Sequence, residues 1–326
     1  MGLKNYKYHL VGAVVLIGLI SIFVSISSIP AGMFRAPIID STTTDVNKGI
    51  LTVPGMYSSI GDAIRAANRG DTIIISPGKY EEGEIKVQKD LTFWGSGPHE
   101  TTVYGKFLIY ADDVTIQGLK ISPTTYSNFG TVDIIGTGIV IQNNIIEGYE
   151  YTTPAIRIEA TDSASIENNV LTKASIAIAN CYLEEFTAKN NILYRVGMDT
   201  DYCPLTPRNE KIIFSYNIYY EVETSHVFDY NRFDGGGNMR TDPKFVDKKI
   251  YSLDYGSPAI DAGDPKSEYS EEPLPDGGRI NVGAYGNTGW ATRSYSSCGE
   301  TLHNHCSGSN RCNNGIFEKN CDICDC

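Results

Sequence analysis

The sequence has little positive charge. Its 326 residues include 27 Lys and Arg against 39 Asp and Glu, a formal net charge of -12. No segment collects the clustered basic residues that phosphate binding needs, so the composition argues against a nucleic-acid partner. An acidic surface more often binds cations or keeps an exported protein soluble. The hydrophobic content of 41% is enough for one sizeable core with a small appendage.

Charge is absent altogether from Leu10 to Ile29, a run that follows Lys4 and Lys7. About 20 apolar residues can cross a bilayer as a helix, and the lysines favour an N-terminus on the inner side. A cleaved signal peptide is the alternative, because Ser25–Ser27 offers small residues. Either interpretation exports the rest of the chain. We predict a membrane anchor over residues 1–30 and a polar linker over residues 31–49.

The chain lacks both the leucine spacing of leucine-rich repeats and the 3.6-residue apolar period of helical repeats, yet it repeats. Apolar segments recur at intervals of 25, 22 and 26 residues, counted between Asn144, Asn169, Asn191 and Asn217. These segments are short, β-branched and bounded by Gly, Asn, Asp and Ser, which indicates strands. We therefore predict a parallel β-solenoid of six or seven coils from Thr72 to about Asp229, with coils roughly 4.8 Å apart.

The asparagines of this repeat are expected at the bends between strands. Asn and Gly tolerate a left-handed backbone, and stacked asparagine side chains can form a hydrogen-bonded ladder along the solenoid. Gly95 and Gly118 lie at similar spacing upstream and are expected to take the conformational role without the ladder.

Two cysteines share the same register. Cys181 follows Asn169, and Cys203 follows Asn191, by an equal number of residues. Neighbouring coils bring such positions within disulfide range, and an exported domain is oxidised. We predict a Cys181–Cys203 disulfide; the alternative is a pair of stacked buried thiols.

A capping helix is predicted before the first coil, because an open solenoid end exposes apolar core. Its apolar face is formed by Ile60, Ala63, Ile64 and Ala67 at helical spacing. Ser59 and Asp62 form the N-terminal capping box, and Gly70 is expected to end the helix.

Motifs near both ends of this region resemble known proteins. The stretch from Thr52 to Glu82 is similar to the opening of secreted right-handed parallel β-helix proteins of the pectate-lyase-like superfamily. "GGGNMRTDPKFVD", "YGSPAIDAGDP" and "INVGAYG" are similar to that group's closing block. The resemblance implies an all-β, single-stranded right-handed parallel β-helix over residues 50–290. Its members include polysaccharide lyases, glycoside hydrolases, esterases, epimerases and adhesins, so the fold does not decide the function.

The closing block also bears on metal binding. Asn281 stands where relatives commonly carry Asp, which weakens a metal-ligand role at this position. Asp261 and Asp264 are expected to act as caps and turn formers. The alternative is that these carboxylates bind Ca²⁺.

A catalytic hypothesis can be built on basic residues. Elimination from a uronate polymer needs the substrate carboxylate neutralised and a base near the abstracted proton. Lys173 and Arg195 each follow a ladder asparagine by four residues, so they should stack on one flank. Arg157 completes the candidate catalytic set. Lys189 belongs to the wider group of charged residues from which this set is taken. The alternative is an ordinary solvated face of outward charges. The paired-aspartate and Gly-His-Gly motifs of polygalacturonases are missing.

Tyrosine is abundant, at 21 residues, and recurs in the late coils. Exposed aromatic rings on a solenoid face can stack on sugars, whereas buried ones pair across coils. The candidate carbohydrate-binding residues are Tyr182, Tyr194, Tyr219 and Tyr220.

Six of the eight cysteines lie in a tail over residues 291–326. They are Cys298, Cys306, Cys312, Cys321, Cys324 and Cys326. The segment resembles short disulfide-rich modules of exported proteins, although Phe317 replaces an expected cysteine. The sequence does not choose among the possible pairings. Export favours disulfides; a zinc site with His303 or His305 is the alternative.

Together these patterns predict a membrane-anchored, extracytoplasmic β-helix with a disulfide-rich tail. Its expected partners are a polysaccharide or another cell-surface glycan or protein, bound without catalysis. A polysaccharide lyase and a structural surface or assembly protein are the alternatives.

Overall fold

The computed structural model describes residues 48–159, 161–175, 178–180, 183–198, 211–224 and 234–294. The predicted anchor, most of the linker, Cys181, Tyr182, Cys203 and the cysteines of the tail lie outside these ranges. Within them, no helix is both long enough and apolar enough to span a membrane.

The described chain contains a short helix and many short strands. The helix is α1 (Ile60–Ala66). The strands are β1 (Ile50–Val53), β2 (Thr72–Ile75), β3 (Gly78–Val87), β4 (Thr92–Gly95), β5 (Thr101–Ile109), β6 (Thr115–Gln117), β7 (Lys120–Ser122), β8 (Val132–Ile134), β9 (Ile139–Gln142), β10 (Ile145–Glu147), β11 (Ile156–Ile158), β12 (Thr161–Glu167), β13 (Val170–Thr172), β14 (Ile178–Asn180), β15 (Leu183–Lys189), β16 (Ile192–Tyr194), β17 (Gly197–Met198), β18 (Lys211–Ser215), β19 (Ile218–Tyr220), β20 (Glu223–Thr224), β21 (Met239–Arg240), β22 (Phe245–Asp247) and β23 (Ser252–Leu253).

The strands stack into a parallel β-solenoid with three faces. The first face is an eight-stranded sheet in the order β1-β2-β4-β6-β9-β12-β15-β18. The long strand β5 joins the other two faces, because its first half pairs with β7 and its second half with β8. The second face continues through β10, β13, β16, β19 and β21, and the third through β11 and β14. Eight stacked strands on one face correspond to about seven turns, as the repeat predicts.

Strand alternation builds the core. On the first face, successive side chains of a strand point alternately outward and into the core. In β2 and β4, for example, partly buried residues alternate with buried ones. The inward positions stack in register through the solenoid; they are Ile73, Phe93, Ile116, Ile141, Ile166, Ala188 and Phe214. All seven are at most 3% exposed. Burying a large apolar side chain stabilises the fold by about 1.5–3 kcal/mol, so each coil adds a similar increment.

The asparagine ladder is confirmed by the structure. Asn144 donates from its side-chain amide to the Oδ1 of Asn169 at 3.2 Å, and Asn169 and Asn191 donate to the next coil at 3.0 Å each. The ladder continues through Asn217 to Asn238, one coil further than the sequence predicts. Each amide also donates to a strand carbonyl of the preceding coil, so no ladder group is left without a partner.

The left-handed backbone belongs to the residue before each ladder asparagine. Asn143, Asn168, Asn190 and Tyr216 have φ between 53° and 58°, and Gly118 takes the same place upstream with φ 71°. Gly95 does not share this role, because its φ is not in the left-handed region. A Cβ on Gly95 would lie 2.2 Å from the carbonyl oxygen of Gly118, so close packing between coils requires glycine there.

The capping helix is confirmed. Ser59 accepts from the amide of Asp62 at 3.0 Å, and the four residues of the predicted apolar face are at most 8% exposed. The helix ends at Ala66, before Gly70, so glycine is not its stop signal. Lys89 caps the C-terminus instead, donating to the carbonyls of Ile64 and Ala67 at 2.9 and 2.6 Å.

The ladder predicts a measurable stability loss. Asn191→Ala removes an acceptor used by the backbone and side-chain amides of Asn169 and leaves the carbonyl of Ile166 without its donor. Burying these groups unpaired should lower the free energy of unfolding, measured by urea denaturation, by about 2–4 kcal/mol. The control is Asn68→Ala, at an exposed position. Equal stability of the two variants would contradict a stabilising ladder.

Candidate functional site

The C-terminal part of the described chain folds back against the solenoid. We call residues 241–294 the closing segment. Its hairpin β22–β23 covers the outer side of the second face, where Tyr251 and Leu253 pack with Ile145, Val170 and Ile192 in a second apolar cluster. The apolar outer side of this face is therefore buried.

The left-handed asparagines hold the closing segment in place. Asn143 donates to the carbonyls of Ala284 and Gly286 at 3.3 and 2.8 Å. Asn168 donates to the carbonyl of Asn281 at 3.3 Å. Asn190 accepts from the amide of Asp264 at 2.7 Å and donates to the hydroxyl of Ser267 at 3.1 Å. The two asparagines of each pair thus have different roles: the second joins coils, and the first anchors the closing segment.

A cleft of about 520 Å³ lies between the first face and the closing segment. We call the solenoid side of it the cleft floor, formed by Trp94, Gln117, Gln142, Glu167 and Lys189. We call the other side the cleft roof, formed mainly by Lys266, Ser267, Glu268, Glu271, Asn287 and Thr288. A volume of this size is within the range of small-molecule sites.

The floor residues form one straight row. Trp94, Gln117, Gln142, Glu167 and Lys189 are direct partners in the register of consecutive parallel strands. Adjacent parallel strands are about 4.8 Å apart, so the four steps of this row span roughly 19 Å along the solenoid. The row can therefore contact an extended ligand at several points.

The floor combines an aromatic ring, two amides and an ion pair. Gln142 donates to the side-chain carbonyl of Gln117 at 2.5 Å. Glu167 accepts from the hydroxyl of Ser165 at 2.6 Å, and its other oxygen lies 3.3 Å from the ammonium of Lys189. These groups offer donors and acceptors beside an indole ring, a combination that suits the hydroxyls and apolar ring faces of a sugar.

The roof is supported by a buried carboxyl group. Glu272 is 5% exposed, and one of its oxygens accepts from the amides of Asn281 and Asn287 at 2.8 and 2.9 Å. Burial raises the pKa of Glu272 to about 7, and the two backbone donors only partly oppose that effect. Asn281 in turn accepts from Asp261 and contacts the solenoid through Asn168. Asn281 is therefore a structural centre of the closing segment.

The predicted turn role of Asp264 agrees with the structure, because Asp264 accepts from the amide of Lys266 at 3.0 Å. Asp261 has a left-handed φ of 54° and accepts from the hydroxyl of Ser294 at 2.6 Å, which is a contact between distant residues. Across the described ranges, no group of three or more His, Cys, Asp and Glu side chains converges as a metal site would.

The predicted stacking of Lys173 and Arg195 is confirmed, because each follows a strand whose last residues pair in register, Thr172 with Tyr194. Both lie after the second face and outside the cleft. Lys173 contacts Glu147 at 2.8 Å, and Lys120 contacts the same carboxylate at 3.1 Å. Burial raises the pKa of Glu147, but these two ammonium groups and the hydroxyl of Ser122 outweigh it and hold the pKa below its ordinary value.

The remaining basic candidates are also paired with carboxylates. Arg195 contacts Glu221 in the next coil. Arg157 lies on the third face, where it contacts Asp133 at 2.5 Å and Glu159 at 3.0 Å. The structure therefore does not bring Arg157 to the same flank as Lys173 and Arg195. Lys189, from the wider group of candidates, is the basic residue of the first face that lines the cleft.

Two of the three candidate tyrosines that the structure describes are buried. Tyr219 points into the solenoid core and is 5% exposed. Tyr194 is 3% exposed beneath the closing hairpin, and its ring stacks on Tyr220 with centroids 5.9 Å apart. Buried rings pack across coils and cannot stack on a sugar, so the prediction of an exposed face is wrong for Tyr194 and Tyr219.

Sequence reasoning missed most of the cleft floor. The signal was present, because Gln142, Glu167 and Lys189 each lie two residues before a ladder asparagine, on the outward side of a strand. Choosing this row among several outward rows requires knowing which one the closing segment covers.

Glu272 predicts a pH-dependent stability. Its folded-state pKa of about 7 lies above the ordinary 4.5, so its contribution is full below pH 4.5 and is lost as pH rises through 7. The shift corresponds to roughly 3 kcal/mol of unfolding free energy. Glu272→Gln keeps the accepting oxygen and should remove most of this decline in urea denaturation between pH 4.5 and 8. Asp261 and His99 titrate in both proteins, so a difference between the two curves of unfolding free energy against pH comes from residue 272. Parallel curves would contradict the raised pKa of Glu272.

Comparisons with known proteins concern the fold. No protein-family model matches the chain, and no curated protein sequence matches it. Among solved structures, the chain is similar to a PL6 alginate lyase in complex with a trisaccharide, at 15% identity and a TM-score of 0.40. That match covers 54% of this chain and 48% of the lyase, so it spans about half of the lyase's length.

Two pectin methylesterases are also similar. PemA from Erwinia chrysanthemi matches at 12% identity and a TM-score of 0.37, over 65% of this chain and 75% of the esterase. A pectin methylesterase in complex with a hexasaccharide matches at 12% identity and a TM-score of 0.35, over 63% and 74%. The stacked coils themselves confirm the parallel β-solenoid that the sequence predicts.

Proposed function

We propose that this protein binds an oligosaccharide segment of a cell-surface polysaccharide in the cleft, without transforming it. The observation that supports this most is the floor row, which aligns one indole ring, two amides and an ion pair in register. Trp94 can stack on the apolar face of a sugar ring, and the two glutamines can bridge its hydroxyls. A groove of roughly 19 Å accommodates several linked sugars.

The proposed location follows from the sequence. The uncharged run from Leu10 to Ile29 would hold the solenoid outside the cytoplasmic membrane, and the cysteine tail suits an oxidising compartment. A membrane-anchored solenoid with a lateral cleft would bind glycan chains that run along its surface.

Binding is preferred to elimination because the basic candidates are already paired. Lys173, Arg195 and Arg157 each contact a carboxylate within the protein. A cation that neutralises a uronate must exchange such a contact for the substrate, which reduces its effect on the substrate carboxylate. Lys173 and Arg195 also lie after the second face and not on the cleft floor.

Trp94 provides the direct test of binding. Trp94→Ala should weaken binding of the recognised oligosaccharide by at least about tenfold in isothermal titration calorimetry, because the stacking contact with a sugar ring is lost. Tyr126→Ala is the control, since Tyr126 is 57% exposed and is not among the residues lining the cleft. Gln142→Ala serves as a second variant if Trp94→Ala unfolds. Unchanged affinity in both folded cleft variants would contradict the proposal.

The lyase alternative has its own measurement. Incubation of the full chain with alginate and polygalacturonate, with and without Ca²⁺, should produce no growth in the ultraviolet absorbance of unsaturated uronate. The reason is that the three basic candidates are engaged by carboxylates. Growth of that signal in the wild type and its loss in Lys173→Ala would establish elimination and overturn the proposal of binding without catalysis.

A further inference from the structure

The charged groups of the cleft do not match a polyanionic ligand. The lining includes the carboxylates of Glu167, Glu268 and Glu271 and the ammonium groups of Lys189 and Lys266. The carboxylates outnumber the cations, so the cleft carries a slight negative charge. A site for an acidic polymer would be expected to have the opposite balance.

The cation on the floor is already neutralised. Lys189 lies 3.3 Å from Glu167 and 3.9 Å from Asp264, and its side chain is 23% exposed. Asp264 is fixed in place, because its amide donates to Asn190 at 2.7 Å. Two carboxylates therefore face one partly buried ammonium group, and an incoming carboxylate would have to compete with both.

The roof adds no net positive charge. Lys266 is exposed there together with Glu268 and Glu271, which are exposed carboxylates on the same side of the cleft. The net charge of -12 on the whole chain extends the same sign beyond the cleft. Long-range repulsion would thus slow the approach of an acidic chain, and short-range repulsion would weaken its binding.

Several polar groups of the floor suit the hydroxyl groups of a sugar. The Gln117–Gln142 contact does not use the amide NH₂ of Gln117 or the carbonyl of Gln142; Gln117 is 6% exposed and Gln142 is partly exposed, and both line the cleft. The carboxylate of Glu167 can accept from neighbouring hydroxyls of one sugar. Trp94, at the end of the row, supplies an apolar surface without charge.

We infer that the cleft selects neutral oligosaccharides and discriminates against uronate polymers. This inference rests on the proposed function, because it names the class of saccharide that the same cleft takes. Neutral sugars bind through Trp94, the glutamines and Glu167 and meet no repulsion from the excess of carboxylates.

The experiment compares neutral and acidic oligosaccharides of equal length on the full chain. Cello-, manno- and xylo-oligosaccharides are titrated beside oligogalacturonate and oligomannuronate by calorimetry, at low salt and at high salt. We expect the best neutral ligand to bind at least about tenfold more tightly than either uronate at low salt. Salt should narrow that gap by screening, while neutral binding stays constant.

Charge variants separate repulsion from shape. Glu268→Gln with Glu271→Gln should strengthen uronate binding several-fold relative to neutral binding, since two carboxylates are removed from the roof of the cleft. The matched control is Glu81→Gln with Glu150→Gln, two exposed carboxylates that do not line the cleft. An equal gain in the control pair would assign the effect to net charge alone and overturn selection by the cleft.

The outcomes distinguish this inference from the proposed function. Uronate binding equal to or tighter than neutral binding, lost in Trp94→Ala, would overturn the inference and leave saccharide binding in place. Absence of binding to every member of both classes by the folded protein would overturn both. Neutral binding that depends on Trp94 and exceeds uronate binding would support both.

Discussion

A continuous chain of buried side-chain amides sets the geometry on which the rest of this structure depends. From Asn144 to Asn217, each ladder amide bonds to the next coil and to a strand carbonyl of the coil before it, and Asn238 ends the ladder. An amide has both donors and an acceptor, so it can satisfy two neighbours at once, which an aliphatic side chain at a bend cannot do. Shifting one coil would leave buried polar groups unpaired at its contacts with the two adjacent coils, and this cost keeps the coils in register.

The register has consequences on both sides of the bend. In the strands that precede the bend, the outward residues of consecutive coils lie in one row and form the cleft floor. At the bend, it presents left-handed asparagines whose side chains bind backbone groups of the closing segment. The floor and the roof of the cleft are therefore positioned by adjacent residues of the same repeat. Glu272 completes the roof by accepting two backbone amides that would otherwise be buried without partners.

Charged side chains have different surroundings on the flanks of the solenoid and in the cleft. On the flanks, Lys173, Arg195 and Arg157 are each matched with a carboxylate from a neighbouring coil or strand, and such pairs mainly satisfy charge locally. In the cleft, carboxylates exceed ammonium groups and stand beside an indole and two amides. This difference separates side chains that stabilise the stacking of coils from side chains that can meet a ligand, and it supports recognition of hydroxyl groups over carboxylates.

The sequence by itself determined the repeat, the strand character of its segments, the ladder positions and the capping helix. These features depend on local spacing and on the chemistry of single residues, such as Ser59 with Asp62 or Asn169 with Asn191. The sequence could not show which asparagine of a pair joins the coils and which one anchors the closing segment, because the left-handed conformation and the ladder contact fit either residue.

Only the tertiary structure decided that Tyr194 and Tyr219 are buried while Trp94, Gln142 and Lys189 line a cleft. The physical reason is that exposure of an outward strand position depends on what packs over it, and the closing segment comes from residues far away in the chain.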